Sequence, residues 1–558
     1  MDDGIRVLVL KNAVKYGGKA NPKAVLGAVL KEFPEKRKKI DDLRKLLEAE
    51  CKEINKLSAE EQEALLKKLD PSALEKKEKK ERDLPVITSM KQGKVHTRIP
   101  PEPSKYIHIG HALSFLLNFL YAQRYKGSCL LRFEDANPEK VTKEYVDAMR
   151  EDLAYLEIKP DKELFVSDSM DQFYTRAEEL ITKGNAYMCF CEQEKLQKLR
   201  NKMQACDCRE NDAKENMKLW KEFLGLKFAV GTALLRLRGD LKSKNGVMRD
   251  PALFRRIDVA HFKHKKKYSI WPMYDFYNAI MDATLGISHI LRSNEFMQRG
   301  ELQDYIKQLL QLPTQEIVEY GRFNVLGAIS KGREIRELIE KDAVTGWDDP
   351  RLTTIKAFRR RGIIPETYRE LVKEVGLSST PTNISYDTVA SINRRLLDPV
   401  AKRFFLLTDS VPVVIENTPL KKVELNLHPD AHKGGRKFEI SEKFLLSKKD
   451  LSQLEEGKIH RLMDCINFEK KGKKFVFHSE EYSEFKDTKN KGRIMHFLPD
   501  NGKNVPVSVM MDDASVVEGV AEGTLSTFAV DDVVQAERFG FVRVDKKGKQ
   551  VDLWFSHK

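Results

Sequence analysis

His108 and His111 flank Gly110 in the segment RIPPEPSKYIHIGHA, residues 98–112, and these residue types suit the binding of a phosphate group. The apolar stretch ALSFLLNFLYAQ that follows predicts a helix, so the histidines lie at a helix N-terminus after a loop. Such an end attracts anions through its free N–H groups and its dipole, and Gly110 allows close approach to the backbone. Both histidines can donate to phosphate oxygens. The alternative is a pair of histidines that only cap the helix; the strand–loop–helix context favours the phosphate site.

Four cysteines form the second pattern with chemical potential. They are two Cys-x-Cys pairs separated by fourteen residues: Cys189, Cys191, Cys206 and Cys208. Four thiolates in two close pairs suit tetrahedral Zn²⁺, and a site with four protein ligands is structural rather than catalytic. Seven cysteines in a chain of 558 residues do not make a disulfide framework, and a reducing cytoplasm fits them best. The sequence predicts a structural zinc site; a metal-free knuckle is the alternative.

Composition favours a polyanionic partner and argues against a membrane protein. The net charge of +14 can neutralise phosphates, although it is also compatible with a merely soluble surface. No run of about 18 apolar residues occurs, and the N-terminal MDDGIRVLVLKNAVKYGGKA does not resemble a secretory signal. Basic stretches at 264–268, 359–361 and 470–474 are candidates for contacts to an RNA backbone. We therefore expect a cytoplasmic protein that binds nucleic acid.

The elements that position these residues change in character along the chain. Residues 1 to about 70 predict helices, with a helix start at Asn21-Pro22, and the charged LEKKEKKER, residues 74–82, predicts a linker. From about 86 to 315, strands such as SCLLRF (128–133) alternate with helices such as EYVDAMREDLAYL (144–156), which predicts a parallel α/β sheet. Residues 320–375 predict helices. After about 400, short β runs predict one or two β-barrels.

The ordered motifs resemble those of the class I glutamyl- and glutaminyl-tRNA synthetases. RIPPEPSKYIHIGHA is similar to their ATP-binding segment, LRFEDANPEK (131–140) to the next block, and WPMYDFYNAIMDATLGISHILRSNEF (271–296) to the block that closes the amino-acid pocket. GWDDPRLTTIKAFRRRG (346–362) and NRRLLDPVAKRFF (393–405) resemble their helical region, and NLHPD, RLMDCINFE and VVQAERFGFVRVD their C-terminal barrels. Residues 11–30 resemble the N-terminal extension of the archaeal enzymes, and the β-barrel ending marks the archaeal or eukaryotic type.

The resemblance implies a multidomain α/β plus all-β protein with six segments. These are a helical N-terminal extension with a charged linker (1–84), the first half of a Rossmann-like catalytic domain (85–188), an acceptor-stem-binding insertion with the zinc knuckle (189–265), the second half of the catalytic domain (266–320), a catalytic loop with a helical stem-contact region (321–400), and anticodon-binding β-barrels (401–558). The N-terminal helices are a candidate surface for a protein partner.

The resemblance also implies a glutamate pocket. It assigns the substrate ammonium to Glu134, the side-chain carboxylate to Arg98, and hydrogen-bonding positions to Tyr274 and Asn278. Arg292 corresponds to a second arginine at the substrate, where glutaminyl enzymes usually carry a smaller uncharged residue. A guanidinium binds a carboxylate through two charge-assisted hydrogen bonds, and a neutral amide would leave its charge unpaired. A surface or RNA-contacting arginine is the alternative for Arg292.

The catalytic loop of the class corresponds to Ile329-Ser330-Lys331-Gly332-Arg333. Ser330 and Lys331 would bind ATP with His108, Gly110 and His111, and Lys331 would neutralise charge on the leaving pyrophosphate. A flexible basic turn is the alternative. The first lysine of the usual loop is missing, and Lys105 stands where the family usually has glycine, so a positive-φ turn there would be strained.

The reaction implied is the activation of L-glutamate by ATP with Mg²⁺, followed by transfer to the 3′-terminal ribose of tRNA(Glu). The resemblance leaves open whether tRNA(Gln) is also glutamylated. A glutaminyl-tRNA synthetase and a non-catalytic tRNA-binding paralogue are the rival interpretations. Arg292 argues against the first, and the intact set of His108, His111, Arg98 and Glu134 argues against the second.

Overall fold

The computed structural model describes residues 3–15, 18–33, 36, 40–71, 83–327, 329 and 332–558. The chain divides into two compact units, Met1–Arg82 and Asp83–Lys558. The charged run LEKKEKKER lies outside the described residues, and so do Ser330 and Lys331.

The described part of the N-terminal unit contains four helices, which confirms the helical prediction. They are α1 (Asp3–Lys15), α2 (Pro22–Glu32), α3 (Ile40–Ile54) and α4 (Ala59–Leu69). Asn21 caps α2 by accepting from the Lys23 N–H, and Pro22 occupies the first turn, as the sequence predicts. The apolar helix faces meet in one core, where the buried Gln62 amide donates to the carbonyl oxygens of neighbouring turns.

A parallel sheet carries the catalytic half of the second unit. Its elements are β1 (His96–Ile99), α5 (Ile109–Arg124), β2 (Ser128–Phe133), α6 (Lys143–Tyr155) and β3 (Lys162–Phe165), followed by α10 (Tyr274–Thr284), β8 (His289–Ser293), α11 (Met297–Leu309) and β9 (Glu316–Tyr320). Strands β1, β2 and β3 pair in parallel, as do β8 and β9. The Ser288 N–H donates to the His96 carbonyl at 2.9 Å, which ties the start of β8 to β1. The predicted α/β alternation is confirmed.

An antiparallel sheet interrupts this part between β3 and α10. Its elements are α7 (Met170–Thr182), β4 (Ala186–Cys189), α8 (Gln193–Asn201), α9 (Ala213–Leu224), β5 (Leu234–Leu237), β6 (Ala252–Arg256) and β7 (Ile270–Pro272). The strands lie in the order β4-β5-β6-β7, and Trp220 and Trp271 fill the core beneath them. The four cysteines lie at one end of this sheet.

Residues 320–400 are mainly helical but also contribute a parallel strand pair. The elements are β10 (Phe323–Val325), α12 (Gly332–Glu340), α13 (Ile355–Arg360), α14 (Pro365–Val375), β11 (Thr382–Ile384) and α15 (Tyr386–Leu397). Backbone hydrogen bonds join this region to the start of α5: the Ile109 N–H donates to the Thr353 carbonyl at 3.1 Å, and the Ile355 N–H donates to the Ile107 carbonyl at 2.8 Å.

The described C-terminal residues 401–558 form two seven-stranded sheets, which confirms a strand-rich end. The strands are β12 (Arg403–Phe404), β13 (Leu406–Leu407), β14 (Ser410–Glu416), β15 (Lys421–His428), β16 (His432–Ile440), β17 (Lys443–Ser447), β18 (Ile459–Leu462), β19 (Asn467–Lys471), β20 (Lys474–Ser479), β21 (Lys491–Met495), β22 (Leu498–Pro499), β23 (Val505–Met510), β24 (Val516–Ala521), β25 (Val533–Ala536), β26 (Gly540–Lys547) and β27 (Val551–His557), with short helices α16 (Lys448–Leu451) and α17 (Tyr482–Asp487). One sheet runs β12-β25-β26-β27-β23-β24-β13 and the other β21-β18-β19-β20-β14-β17-β22, each over its own core. The hairpin β15–β16 stands beside them.

Candidate active site

A cavity of about 630 Å³ opens at the carboxyl ends of the parallel strands. Ligands bind at this edge of parallel sheets because the strand ends and helix N-termini converge there. The predicted residues that line it are Arg98, His108, Gly110, His111, Glu134, Tyr274 and Arg292. The fold therefore brings the phosphate motif and most of the predicted amino-acid pocket into one space.

The two histidines at the start of α5 are held as neutral rings. His108 is the N-cap, and its Nδ1 accepts from the Gly110 N–H at 3.1 Å, while the His111 Nδ1 lies 3.5 Å from the His108 N–H. Their ring centroids are 3.7 Å apart. Burial, aided by Lys105 and Arg322, lowers the pKa of His108 to about 3, and burial lowers the pKa of His111 well below its ordinary value. Because each Nδ1 faces a backbone donor, we infer that Nε2 carries the proton and can donate to a phosphate.

Gly110 is closely packed at the start of α5. A Cβ at this position would lie 3.0 Å from the His108 Cε1 atom and 3.2 Å from the Phe323 carbonyl oxygen. A side chain here would press on the N-cap ring, whose Nδ1 accepts from the Gly110 N–H.

Glu134 is positioned by a buried arginine that the sequence analysis did not identify. The fully buried Arg132 donates to the Asp282 carboxylate at 2.6 Å and to Glu134 Oε1 at 3.0 Å. Asn278 uses both ends of its amide: its Oδ1 accepts from Arg132 at 2.6 Å and its Nδ2 donates to Glu134 Oε1 at 3.0 Å. Asn278 thus lies behind the cavity wall and orients Glu134, whereas Tyr274 lines the cavity itself.

The charges of this network balance. Arg98 donates from Nε to Asp282 at 3.1 Å, so two guanidinium groups face two carboxylates. Burial opposes ionisation of Asp282, but Arg132 and Arg98 outweigh it and keep the pKa of this carboxyl below its ordinary value. Burial raises the pKa of Glu134, and the same two arginines oppose that rise. An ammonium ligand at Glu134 would add the positive charge that favours its ionised form.

Arg292 has hydrogen-bonding capacity left over. Its side chain is buried, and its Nη1 donates to Gln303 Oε1 at 3.0 Å, while the nearest carboxylate oxygen, on Glu319, is 3.6 Å from Nη2. Nε and Nη2 have no hydrogen-bond partner. A Cβ at Gly300 would lie 2.6 Å from Nη2, so this helical glycine makes room for the guanidinium. A buried guanidinium with two unsatisfied donors beside a cavity is suited to a planar anion such as a carboxylate.

Sequence signals for the missed residues do exist. Arg132 and Glu134 are two apart at the end of β2, so they lie on the same side of the strand. Tyr274, Asn278 and Asp282 recur every four residues, which places them on one face of α10. No local signal marks Gly300, because its role depends on a residue from another element.

The loop before the histidines contains Lys105, where the sequence analysis considered a strained positive-φ turn. The backbone at Lys105 is not in the left-handed region, so the strain expected there is absent. Ser330 and Lys331 lie outside the described residues, and their predicted roles stay predictions. Beyond them, Arg336 on α12 donates to the Ser104 carbonyl at 2.8 Å, which fixes this helix to the phosphate segment.

The four cysteines converge as a metal site requires. Their Sγ atoms all lie within 4.8 Å of one another, with Cys189 and Cys206 3.8 Å apart and Cys191 and Cys208 3.9 Å apart. Sulfurs about 2.3 Å from a tetrahedral Zn²⁺ are separated by about 3.8 Å. The Arg236 guanidinium lies 3.7 Å from the sulfurs of both Cys189 and Cys206, which offsets the negative charge of buried thiolates. The donor set and geometry therefore fit zinc.

Comparison with known proteins decides the family. The family model described as tRNA synthetases class I (E and Q), catalytic domain, matches residues 94–399, and the model of the corresponding anti-codon binding domain matches residues 401–484. The chain belongs to this family. Synthetases of this family use ATP, with Mg²⁺, to form aminoacyl-tRNA, and the cavity described above lies in the matched catalytic domain.

Similar proteins extend over the whole synthetase. The glutamate–tRNA ligase of Pyrococcus abyssi is 38% identical, and the alignment covers 98% of each chain. The glutamate–tRNA ligase of Thermococcus kodakarensis is 38% identical over 99% of this chain and 100% of its own. That of Methanothermobacter marburgensis is 36% identical over the full length of both. A solved glutamate tRNA ligase from Elizabethkingia meningosepticum, in complex with its amino acid, is 18% identical, with a TM-score of 0.40 over 55% of this chain and 70% of that one. None of the described helices of the synthetase is long and apolar enough to cross a membrane.

Proposed function

We propose that this synthetase activates L-glutamate with ATP and transfers it to tRNA(Glu). The observation that carries the choice of amino acid is Arg292, a buried guanidinium with two unpartnered donors beside the cavity. A neutral glutamine side chain brings no negative charge to these two donors, so the buried guanidinium would keep only the Glu319 carboxylate, 3.6 Å away, as its counter-charge. The names of the archaeal relatives support the same substrate.

The cavity offers a separate place for each part of the two substrates. The N-terminus of α5, with the Nε2 donors of His108 and His111, receives the phosphates of ATP. Glu134 receives the glutamate ammonium, and Arg292 with Arg98 receives the side-chain carboxylate. This placement directs the α-carboxylate of glutamate towards the α-phosphate.

The first step is an in-line displacement at phosphorus. A glutamate carboxylate oxygen forms a bond to the α-phosphorus of ATP, the bond to the β-phosphate oxygen breaks, and pyrophosphate leaves. A hydroxyl of the tRNA 3′-terminal ribose then attacks the carbonyl carbon of the adenylate and releases AMP. Neither step needs a protein nucleophile, so positioning and charge stabilisation supply the catalysis. Mg²⁺ accompanies ATP and is held mainly by its phosphates.

We also propose that the four-cysteine cluster holds a structural Zn²⁺ in the insertion, residues 189–265, where it stabilises the end of β4. We further propose, from the family resemblance, that the insertion contacts the acceptor stem of the tRNA. Residues 401–558 then read the anticodon, whose exposed bases stack on side chains or form hydrogen bonds along their edges. The match of the anti-codon binding model to residues 401–484 supports the last assignment.

Aminoacylation with labelled amino acids tests the function. The wild type is expected to charge tRNA(Glu) with glutamate and not with glutamine. Arg292→Ala should lower kcat/KM for glutamate by about 100-fold, since hydrogen bonds to charged groups contribute about 1.5–3 kcal/mol each. Arg292→Lys keeps the charge but not the planar fork and should recover only part of the activity.

Arg150→Ala is the matched control, because Arg150 is half-exposed, pairs with Glu163 and does not line the cavity. It should retain wild-type charging. If the wild type attaches glutamine to tRNA, the protein is a glutaminyl-tRNA synthetase instead. If it binds tRNA but attaches neither amino acid, the non-catalytic tRNA-binding paralogue is favoured. The same assay with purified tRNA(Gln) decides whether it is a second acceptor.

A further inference from the structure

Six lysine and arginine side chains line the cavity, and five of them face a carboxylate. The pairs and their closest nitrogen–oxygen distances are Arg98 with Asp282 (3.1 Å), Arg255 with Glu139 (3.8 Å), Arg292 with Glu319 (3.6 Å), Arg299 with Asp275 (2.6 Å) and Arg322 with Glu295 (3.2 Å). Lys105 is the exception: among the described residues no carboxylate oxygen lies within 4.0 Å of its ammonium nitrogen. Glu102 and Glu295 act on this ammonium only from beyond 4.0 Å, and a half-buried ammonium that makes no ion pair favours an anionic ligand.

Lys105 lies at the phosphate end of the cavity. It precedes His108 by three residues, and its charge contributes to the lowered pKa values of both His108 and His111. Because both histidines are neutral, they offer hydrogen bonds but no positive charge to a triphosphate. The N-terminus of α5 adds only the partial charge of the helix dipole, and the N–H groups of Ile109 and Gly110 already donate within the protein. A full positive charge is therefore still needed at this end.

The stem of Lys105 packs against the N-terminus of α12. A Cβ at Gly332, the first residue of α12, would lie 2.8 Å from the Lys105 Cδ and 2.9 Å from its Cβ. Arg336 on the same helix donates to the carbonyl of Ser104, the residue before Lys105. These two contacts limit where the ammonium can go, so the charge is partly pre-organised. The segment Ile329-Ser330-Lys331 contains one lysine. A second cation from outside this segment would help to neutralise the charge of the triphosphate.

We propose that the Lys105 ammonium binds the β- and γ-phosphates of ATP and stays on the pyrophosphate as it leaves. The proposal rests on the ATP-dependent function proposed above. Lys105 then stabilises the negative charge that develops on the leaving pyrophosphate, and it transfers no proton. Lys105 precedes His108 by three residues and is separate in sequence from the segment 329–333.

A measurement of ATP binding distinguishes a role of the Lys105 charge from a role of its aliphatic stem in packing. Lys105→Met keeps the aliphatic stem against Gly332 and removes only the charge, and Lys105→Arg restores the charge. Isothermal titration calorimetry with ATP and Mg²⁺ should show binding weakened roughly tenfold or more in Lys105→Met, since a charge-assisted bond contributes about 1.5–3 kcal/mol. Adenosine, which lacks phosphates, should bind both proteins equally. Lys140→Met, an exposed lysine outside the cavity, should behave as wild type.

Glutamate-dependent ATP–pyrophosphate exchange in the presence of tRNA supplies the kinetic test. Lys105→Met should raise KM for ATP and for pyrophosphate while changing KM for glutamate less than about twofold, and Lys105→Arg should recover most of the loss. Wild-type affinity for ATP in Lys105→Met, or equal weakening of ATP and adenosine, would overturn the proposal. Should Lys105→Met fail to fold, Lys105→Gln takes its place. If the wild type binds ATP in a Lys105-dependent way but shows no exchange with glutamate, the proposed function fails and the role of Lys105 stands.

Discussion

At the scale of single residues, burial decides which ionisable groups carry charge. Burial lowers the pKa of His108 to about 3, so this ring is neutral at the pH where synthetases work. Burial also raises the pKa of Asp152 to about 8, with Glu151 adding to the rise and Lys356 and Arg359 opposing it. Asp152 lies on α6 with its Oδ2 buried and unpartnered. The first group can serve as a hydrogen-bond donor, whereas the second lowers the stability of the fold when it ionises.

The pH dependence of stability should therefore change in Asp152→Asn. The folded pKa of Asp152 is above its ordinary value of 3.8, so its stabilising contribution is complete below about pH 4 and is lost as the pH rises through about 8. Asparagine has a similar shape and no charge to bury. We expect the substitution to raise the free energy of unfolding by about 1–3 kcal/mol more at pH 8.5 than at pH 4. Urea unfolding at both pH values measures this, with the exposed Asp171→Asn as control; an equal change at both pH values would contradict it.

At the scale of elements, the amino-acid pocket depends on how α11 packs beside β8. Arg292 comes from the strand, and Gly300 on the helix leaves the space that its guanidinium occupies. The hydrogen bond from Arg292 to Gln303, one turn further along α11, fixes the same interface. The absence of a side chain at Gly300 therefore helps to determine the position of Arg292 in the pocket.

Gly300→Ala should separate helix stability from substrate binding. Alanine favours a helix over glycine by about 1 kcal/mol, so the free energy of unfolding should not fall. The new methyl group would lie 2.6 Å from Arg292 Nη2 and must move the guanidinium. We expect KM for glutamate to rise about tenfold while KM for ATP changes little. Gly27→Ala on α2, where a Cβ meets open space, is the matched helical control; an unchanged KM in Gly300→Ala would show that the guanidinium adapts.

The cysteine cluster is the second element whose behaviour can be tested apart from catalysis. Purified wild type should contain about one Zn²⁺ per chain by elemental analysis, and Cys206→Ser should lose it, because three thiolates and a hydroxyl bind zinc more weakly. Cys465→Ser removes a buried cysteine elsewhere and should keep the metal. Limited proteolysis should then cut within residues 189–210 of Cys206→Ser first. A zinc-free wild type with an intact fold would support the metal-free knuckle.

At the scale of the second unit, α13 joins the phosphate segment to the C-terminal sheets. The backbone around Thr354 pairs with the segment around His108, and Arg360 at the other end of α13 forms a two-pronged contact with Asp545, at 3.1 and 2.9 Å. Arg360 also stacks over the Trp554 ring, 4.0 Å from its centroid. One short helix therefore contacts both the segment that contains His108 and the C-terminal sheet that contains Asp545 and Trp554.

A double-mutant cycle measures how strongly this contact holds the two parts together. Arg360→Ala, Asp545→Ala and their combination should give a coupling free energy of about 1–3 kcal/mol in unfolding experiments, since the pair is part-buried and bidentate. The exposed pair Lys143–Asp147 should give about 0.5 kcal/mol or less in the same cycle. Equal coupling in both pairs would mean that the Arg360 contact contributes no more than a surface ion pair.

The sequence by itself determined the features that are carried by neighbouring residues. Helix starts such as Asn21-Pro22, the histidine motif at the start of α5 and the alternation of strands and helices depend on local propensity and short spacing, which the chain order preserves. The paired cysteines are of the same kind. These patterns, with the ordered blocks, were sufficient to indicate the family and seven of the residues that line the cavity.

Only the tertiary structure decided what joins residues far apart in the chain. The contact of Arg132 with Asp282, the space that Gly300 leaves for Arg292, and the packing of Lys105 against Gly332 all arise where separate elements meet. Their energies depend on burial and on unpaired charge, and neither quantity is defined until the chain has folded. For this reason the sequence could name the residues of the site, while the fold decided which of them were left with free donors or a free charge.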